Sequence, residues 1–137
     1  PTISTLWKIS NGMKVPFDAL TVRPEVTYEI VKTAEVQPIL EDDGKVRNYS
    51  IFPDDENRRF AVYYLELDPD SYWESEPHLR GTTEFITVFS GTVEIKADGK
   101  QFQVSEGENI RFKGDTEHSY RNSGEETAVL HMILYNP

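Results

Sequence analysis

Two short stretches concentrate the side chains able to do chemistry. The first runs His78-Leu79-Arg80-Gly81-Thr82-Thr83-Glu84, and the second brings His118, Tyr120 and Asn122 after Gly107 and Asp115. Two imidazoles and one carboxylate make a 2-His-1-carboxylate set, the combination that holds non-haem iron and related divalent metals. On a regular strand, side chains two apart share a face, which would aim His78 and Arg80 the same way, and His118 with Tyr120. Glu84 opens the next strand and shares its face with Ile86 and Val88.

Arg80 complicates this set. Its guanidinium is permanently charged and about as bulky as an imidazole. At ~4 Å and an effective dielectric of 20, two unit charges repel by about 4 kcal/mol, and a dication roughly doubles that. Either Arg80 turns aside and His78, Glu84 and His118 remain as ligands, or no metal binds. In the second case Arg80 could pair with Glu84, or its fork could hold a ligand carboxylate or phosphate. A purely internal ion pair is a further reading, though desolvation makes such pairs weak stabilisers. His131, the one polar side chain in Val129-Leu130-His131-Met132-Ile133, reads as a core histidine or as one facing the interior. Tyr63, Tyr72, Trp73 and Tyr120 are candidates to line a pocket, or ordinary core and rim aromatics.

These groups need a scaffold, and the pattern from about Val26 onward is that of strands. Val26–Val31 alternates, as does Val46–Phe52. Phe60–Leu67 places Ala61, Tyr63, Leu65 and Leu67 on one face. Phe85–Phe89, Thr92–Lys96, Gln101–Val104, Asn109–Phe112 and Ala128–Tyr135 follow, each bounded by Gly, Asp, Asn or Ser. Glu41–Gly44 and Pro53–Asn57 are acidic turns without the ligand spacing of a calcium loop. Short strands separated by turns, with no helix among them, predict a sandwich or barrel.

Composition narrows the function. The 137 residues are a single-domain length and carry a net charge of −10. Lys8 and Lys14 against Asp18 make the opening slightly cationic, so the acidic excess belongs to the strand region. Such a surface repels phosphate backbones, which makes that region a poor candidate for a nucleic-acid reader and reads most simply as a solubilising surface. Cysteine is absent, which removes disulfides, thiolate metal sites and cysteine nucleophiles and fits the cytoplasm. No apolar run approaches the ~20 residues of a membrane span, and no signal peptide is expected. A chain that starts at Pro1 is expected to be a piece of a longer protein.

The two chemical stretches resemble the paired motifs of the cupin superfamily. Its first motif reads roughly G-x5-H-x-H-x3,4-E-x6-G, and His78, Glu84 and Gly91 stand in place. Its second reads roughly G-x5-P-x-G-x2-H-x3-N, matched by Gly107, His118 and Asn122. Four positions depart: Tyr72 replaces the leading glycine, Arg80 the second histidine, Lys113 the proline and Asp115 the second glycine. The resemblance implies an all-β double-stranded β-helix, or jelly-roll barrel, over residues 26–137, with a short helical segment before it.

That segment, PTISTLWKISNGMKVPFDAL, has Ile3, Leu6, Ile9 and Met13 at helical spacing, with Thr2 as N-cap and Asn11-Gly12 as terminator. A second short helix is expected over Pro16–Leu20. The stretch resembles the last two helices of the DNA-binding domain of lambda-repressor-like, XRE-type regulators. Leu6, Ile9, Val15, Phe17 and Leu20 stand at that family's apolar positions. Residues 1–21 would then be the tail of a helix-turn-helix domain whose recognition helix lies outside this chain; a simple cap on the barrel is the plainer reading.

Together the two resemblances imply the sensor half of a bacterial transcriptional regulator. A cupin would bind a small-molecule effector and form a homodimer, with DNA reached through the helix-turn-helix. The implied effector contacts are His78, Arg80, Glu84, His118, Tyr120, His131 and Tyr63. No residue is assigned to catalysis and no cofactor is required, although His78, Glu84 and His118 are candidate ligands for iron, manganese, nickel or zinc. Two alternatives stand beside this: a metal-dependent cupin enzyme of dioxygenase or isomerase type, and a barrel filled by its own side chains that serves only to dimerise.

Overall fold

Alternating apolar residues become a sandwich once each strand finds a partner. The computed structural model describes residues 27–137, in which all strand pairing is antiparallel. In chain order the strands are β1 (Ile39–Glu41), β2 (Val46–Phe52), β3 (Phe60–Leu67), β4 (Ser71–Ser75) and β5 (Thr83–Ser90). Then come β6 (Thr92–Ala97), β7 (Lys100–Ser105), β8 (Asn109–Lys113), β9 (His118–Asn122) and β10 (Ala128–Tyr135). One sheet runs β1-β2-β3-β10-β5-β8 and the other β4-β9-β6-β7, the two layers of a jelly-roll barrel. The chain repeatedly crosses between layers, so residues distant in sequence meet between the sheets. Short 3₁₀ turns at Thr33–Glu35 and Asp42–Gly44 are the helical elements among the described residues, none of which is long and apolar enough to cross a membrane.

The core lies between the layers. Leu65, Leu67, Ile86, Val88, Leu130 and Met132 point inward from the large sheet, and Val93, Ile95 and Tyr120 meet them from the small one. Each fully buried aliphatic side chain contributes about 1.5–3 kcal/mol relative to exposure. Two turns show why the sequence folds locally as it does. Asp98 and Gly99 both take positive φ between β6 and β7, the geometry that suits a two-residue hairpin. Gly91, at φ +76°, turns β5 into β6 where an added Cβ would sit 2.8 Å from the Ala128 Cα.

Most expected strands are present, β2, β3 and β10 with the bounds read from the sequence. Three expectations need comment. The described part of the expected Val26–Val31 strand, Thr27–Val31, is not a strand: it pairs with no described strand, and Tyr28 and Ile30 are 86% and 87% exposed. Alternation is necessary for a half-buried strand but a hydrogen-bonding neighbour is also required. His78 and Arg80 do not share a strand either, because the chain leaves β4 at Ser75 and rejoins a sheet only at Thr83, turning through Leu79–Gly81. The helices expected over residues 1–21 lie outside the described residues, as does Val26.

Candidate functional site

The centre of the site is Glu84. It stands near the start of β5 in register with Leu134 of β10 and Phe112 of β8, on the inward face, and is fully buried. His118 and Tyr120 alternate inward from β9 in the opposing sheet, both buried. His78 comes from the loop after β4, anchored where its backbone N–H donates to the Gly114 carbonyl at 2.8 Å.

The four side chains converge on one carboxylate. The Tyr120 hydroxyl donates to Glu84 Oε1. Glu84 Oε2 faces His118 Nε2 at 2.6 Å and His78 Nε2 at 3.3 Å. Burial pushes the Glu84 carboxyl up, but the two imidazoles beside it and the Tyr120 hydroxyl outweigh this and hold it at about 2. For His118, burial pulls the imidazole down, while the adjacent carboxylate and the Thr116 carbonyl prevail and raise it. Burial, with Glu84 beside it, keeps Tyr120 protonated and well above the usual phenol value. Its ring stacks on Trp73 with centroids 4.9 Å apart, which fixes the hydroxyl.

This arrangement can be tested for its fit to a cation. His118 Nδ1 lies 2.8 Å from the Thr116 carbonyl, an acceptor only, so Nδ1 carries a proton. In the neutral ring the Nε2 lone pair then points at Glu84 Oε2. Both of these buried atoms lack a hydrogen-bond partner despite their proximity. Two facing lone pairs need positive charge between them, either a proton on the imidazole or a metal ion. The available ligand atoms of His78, Glu84 and His118 lie within 4.8 Å of one another, and nitrogen and carboxylate donors in this ratio suit a divalent transition metal. The residues fit a metal. Glu84 and His118 side chains are fully buried, whereas His78 is 32% exposed, so the cluster opens to solvent on the His78 side.

Gly114 makes room for this cluster. An added Cβ there would come within 3.1 Å of both Glu84 Oε2 and His78 Cδ2. Its backbone also ties the loops together, accepting from His78 N–H and donating to the Thr82 carbonyl at 2.8 Å. Sequence reasoning passed over Gly114, although a glycine between Lys113 and Asp115, four residues before His118, was a signal that space is needed there.

The remaining predicted site residues separate. Tyr63 faces inward from β3 and is half-buried; burial raises its phenol, with Asp54 and Glu84 adding to the effect. Arg80 is corrected: it is exposed in the Leu79–Gly81 turn and pairs with no described acid. Asp115 holds that turn, accepting the Gly81 N–H at 2.8 Å. An exposed guanidinium is screened by solvent, which weakens the electrostatic objection to a metal. His131 is also corrected. Ala128, Leu130 and Met132 take the inward positions of β10, so His131 points outward, its ring 6.1 Å from that of Phe89. Asn122 is structural: its side-chain amide donates to the Leu67 and Glu126 carbonyls at 2.8 and 2.7 Å and accepts the Gly124 N–H at 2.9 Å. Two surface hollows of about 470 and 350 Å³ contain none of the cluster residues, so donor geometry rather than concavity marks this site.

Comparison with known proteins agrees with this geometry. The cupin domain model matches residues 63–134, which include all four converging side chains. The HTH-type transcriptional regulator SutR of Escherichia coli is 31% identical over 137 residues, 100% of this chain and 73% of that protein. A crystal structure of the cupin domain of an XRE family transcriptional regulator from Enterobacter cloacae has 33% identity and a TM-score of 0.65, covering 68% of this chain and 98% of that one. A crystal structure of an HTH_3 family transcriptional regulator from Vibrio cholerae has 29% identity and a TM-score of 0.68, covering 100% of this chain and 73% of that one. The chain belongs to the cupin domain family, among the HTH-type transcriptional regulators that carry such a domain.

Proposed function

We propose that this chain is the small-molecule-sensing and dimerisation part of a cytoplasmic bacterial transcriptional regulator. Residues 1–21 are the end of its helix-turn-helix domain and residues 26–137 its cupin sensor. The observation that carries the reading is likeness to HTH-type regulators along the whole chain, joined to a polar cluster open on one side. His78, Glu84 and His118 would hold a divalent metal (iron, manganese, nickel or zinc). Such an ion supplies a Lewis-acid anchor for an anionic or chelating effector. Tyr120 fixes the carboxylate, and Tyr63 contributes an aromatic wall beside the cluster. An effector bound here changes operator affinity by binding one arrangement of a homodimer better than another.

Metal analysis and native mass spectrometry of the purified chain test this directly. The expected result is one divalent metal per chain, lost in His118→Ala, and a small organic molecule whose removal from the whole regulator shifts operator affinity. Operator affinity indifferent to every retained molecule would count against the sensor reading. The cluster itself favours a second reading, a metal-dependent cupin enzyme, and steady chemical conversion of the retained molecule by metal-loaded protein would put that reading first.

A further inference from the structure

The two sheets treat their outer faces differently. On the small sheet, the outward positions carry Glu74, Arg121, Glu94, Lys96, Gln101 and Gln103 with one exposed aromatic, Tyr72, which lies 5.1 Å from the Arg121 guanidinium, a mostly polar solvated surface. An antiparallel sheet with one wet side should read this way. The large sheet does not. Its outward positions include Phe60, Phe85, Phe89 and Tyr135, exposed by 41%, 40%, 55% and 41%, with half-buried His131 and Ile133 between them. These residues are contiguous: Ile133 is in register with Phe85, Tyr135 with Phe60, and His131 lies against Phe89. On the three central strands β3, β10 and β5 the one charged outward side chain is Glu66, already held by Arg47 at 3.1 Å.

We propose that this face of the large sheet is the interface between two copies of the chain. The inference rests on the homodimer proposed above and names its surface. Two arguments favour a second copy as the occupant, and a third feature sets its orientation. An aromatic side chain carries roughly 150–250 Å², so the four exposed rings alone leave about 350 Å² per copy, close to half of the ~800 Å² per partner of a standard interface. Two copies each of charge −10 repel over most of their surface, and the centre of this face is where they meet without opposing acids. The β8 edge presents Arg111 and Lys113, in register with outward Phe85 and Thr83. A two-fold axis parallel to the strands keeps the two β8 edges apart, whereas an axis across the strands would stack β8 on β8 and crowd the cations. Such an interface is isologous.

Sedimentation of the whole chain, with far-UV circular dichroism as the fold control, tests the surface. Wild type should be a dimer. Phe85→Glu and Phe89→Glu, both at exposed positions, should each weaken it about thirtyfold or more while strand content stays unchanged. The absence of native cysteine permits a second readout independent of those variants: a short bis-maleimide should link two copies of His131→Cys but not of Gln103→Cys, on the small sheet. A stable dimer indifferent to both glutamates and linked through position 103 would overturn the surface and leave the homodimer reading standing. A wild-type monomer at all concentrations would overturn both. A dimer through this face that binds no effector would keep the surface and remove the sensor reading.

Discussion

Gly114→Ala puts the smallest possible side chain where the structure has least room for it. Its Cβ would meet Glu84 Oε2 and His78 Cδ2 at 3.1 Å and Glu84 Cγ at 3.4 Å, against an ordinary contact of 3.4–4 Å. The neighbours must therefore give by a few tenths of an ångström. Glu84 has little freedom to do so, being fully buried with Oε1 held by Tyr120. His78 can move, because it sits on a loop and is 32% exposed. The strain is thus expected to push His78 away from the carboxylate and spread the ligand atoms. Inserting a methyl into a packed site costs about 1–3 kcal/mol. At 1.4 kcal/mol per tenfold, loss of that energy from the bound state weakens metal affinity by roughly 10- to 100-fold. Competitive titration with a chromophoric chelator measures the affinity, and thermal melting of metal-free protein measures the residual fold. The metal-free melting temperature should fall by only a few degrees, since about 1 kcal/mol shifts a domain of this size by about 4 °C. Unchanged metal affinity in Gly114→Ala would refute the assignment of this glycine as the space-maker of the site.

Three further outcomes follow from the same geometry. Asn122→Ala removes one buried and two part-buried hydrogen bonds and strands the Leu67 and Glu126 carbonyls, so it should cost about 3 kcal/mol in urea denaturation without changing metal stoichiometry; a loss under ~1 kcal/mol would argue that water replaces the amide. Arg80→Ala should leave stability within about 0.5 kcal/mol and metal affinity unchanged, because the side chain is exposed and forms no ion pair with a described acid; a large change in metal affinity would restore Arg80 to the site. Asp68 is held below the usual carboxylate range chiefly by its hydrogen bonds from Arg47, against the opposing effect of burial. A depressed folded pKa stabilises fully above the unfolded value of about 3.9 and is lost as pH falls through the folded value. Urea midpoints taken from about pH 7 to about pH 3 should fall more steeply for wild type than for Asp68→Asn, and parallel curves would refute the pairing.

Much of the fold was legible because period-two alternation is a local property. The burial that gives β10 its pattern from Ala128 to Tyr135 is written residue by residue, and β2 is equally plain. His78, Glu84 and His118 were legible for a different reason: their residue types are rare on strand faces and their spacing matches a known pair of motifs. What the chain alone left open were questions of partnership and direction. Thr27–Val31 has strand character but pairs with no strand among the described residues, and no local signal reports that. Arg80 was placed beside His78 by a rule that holds on strands, but the segment is a turn, which Asp115 braces from across the fold. The direction of His131 depended on β10's register between β3 and β5, which commits Leu130 and Met132 to the core and sends the histidine out. Gly114 acquires meaning only when the loop that carries it folds against Glu84 and His78. Sequence alone settled which residues could do the chemistry, because residue type and alternation are carried along the chain. Tertiary structure decided which of them meet, because strand register and loop anchoring depend on groups thirty or more residues away.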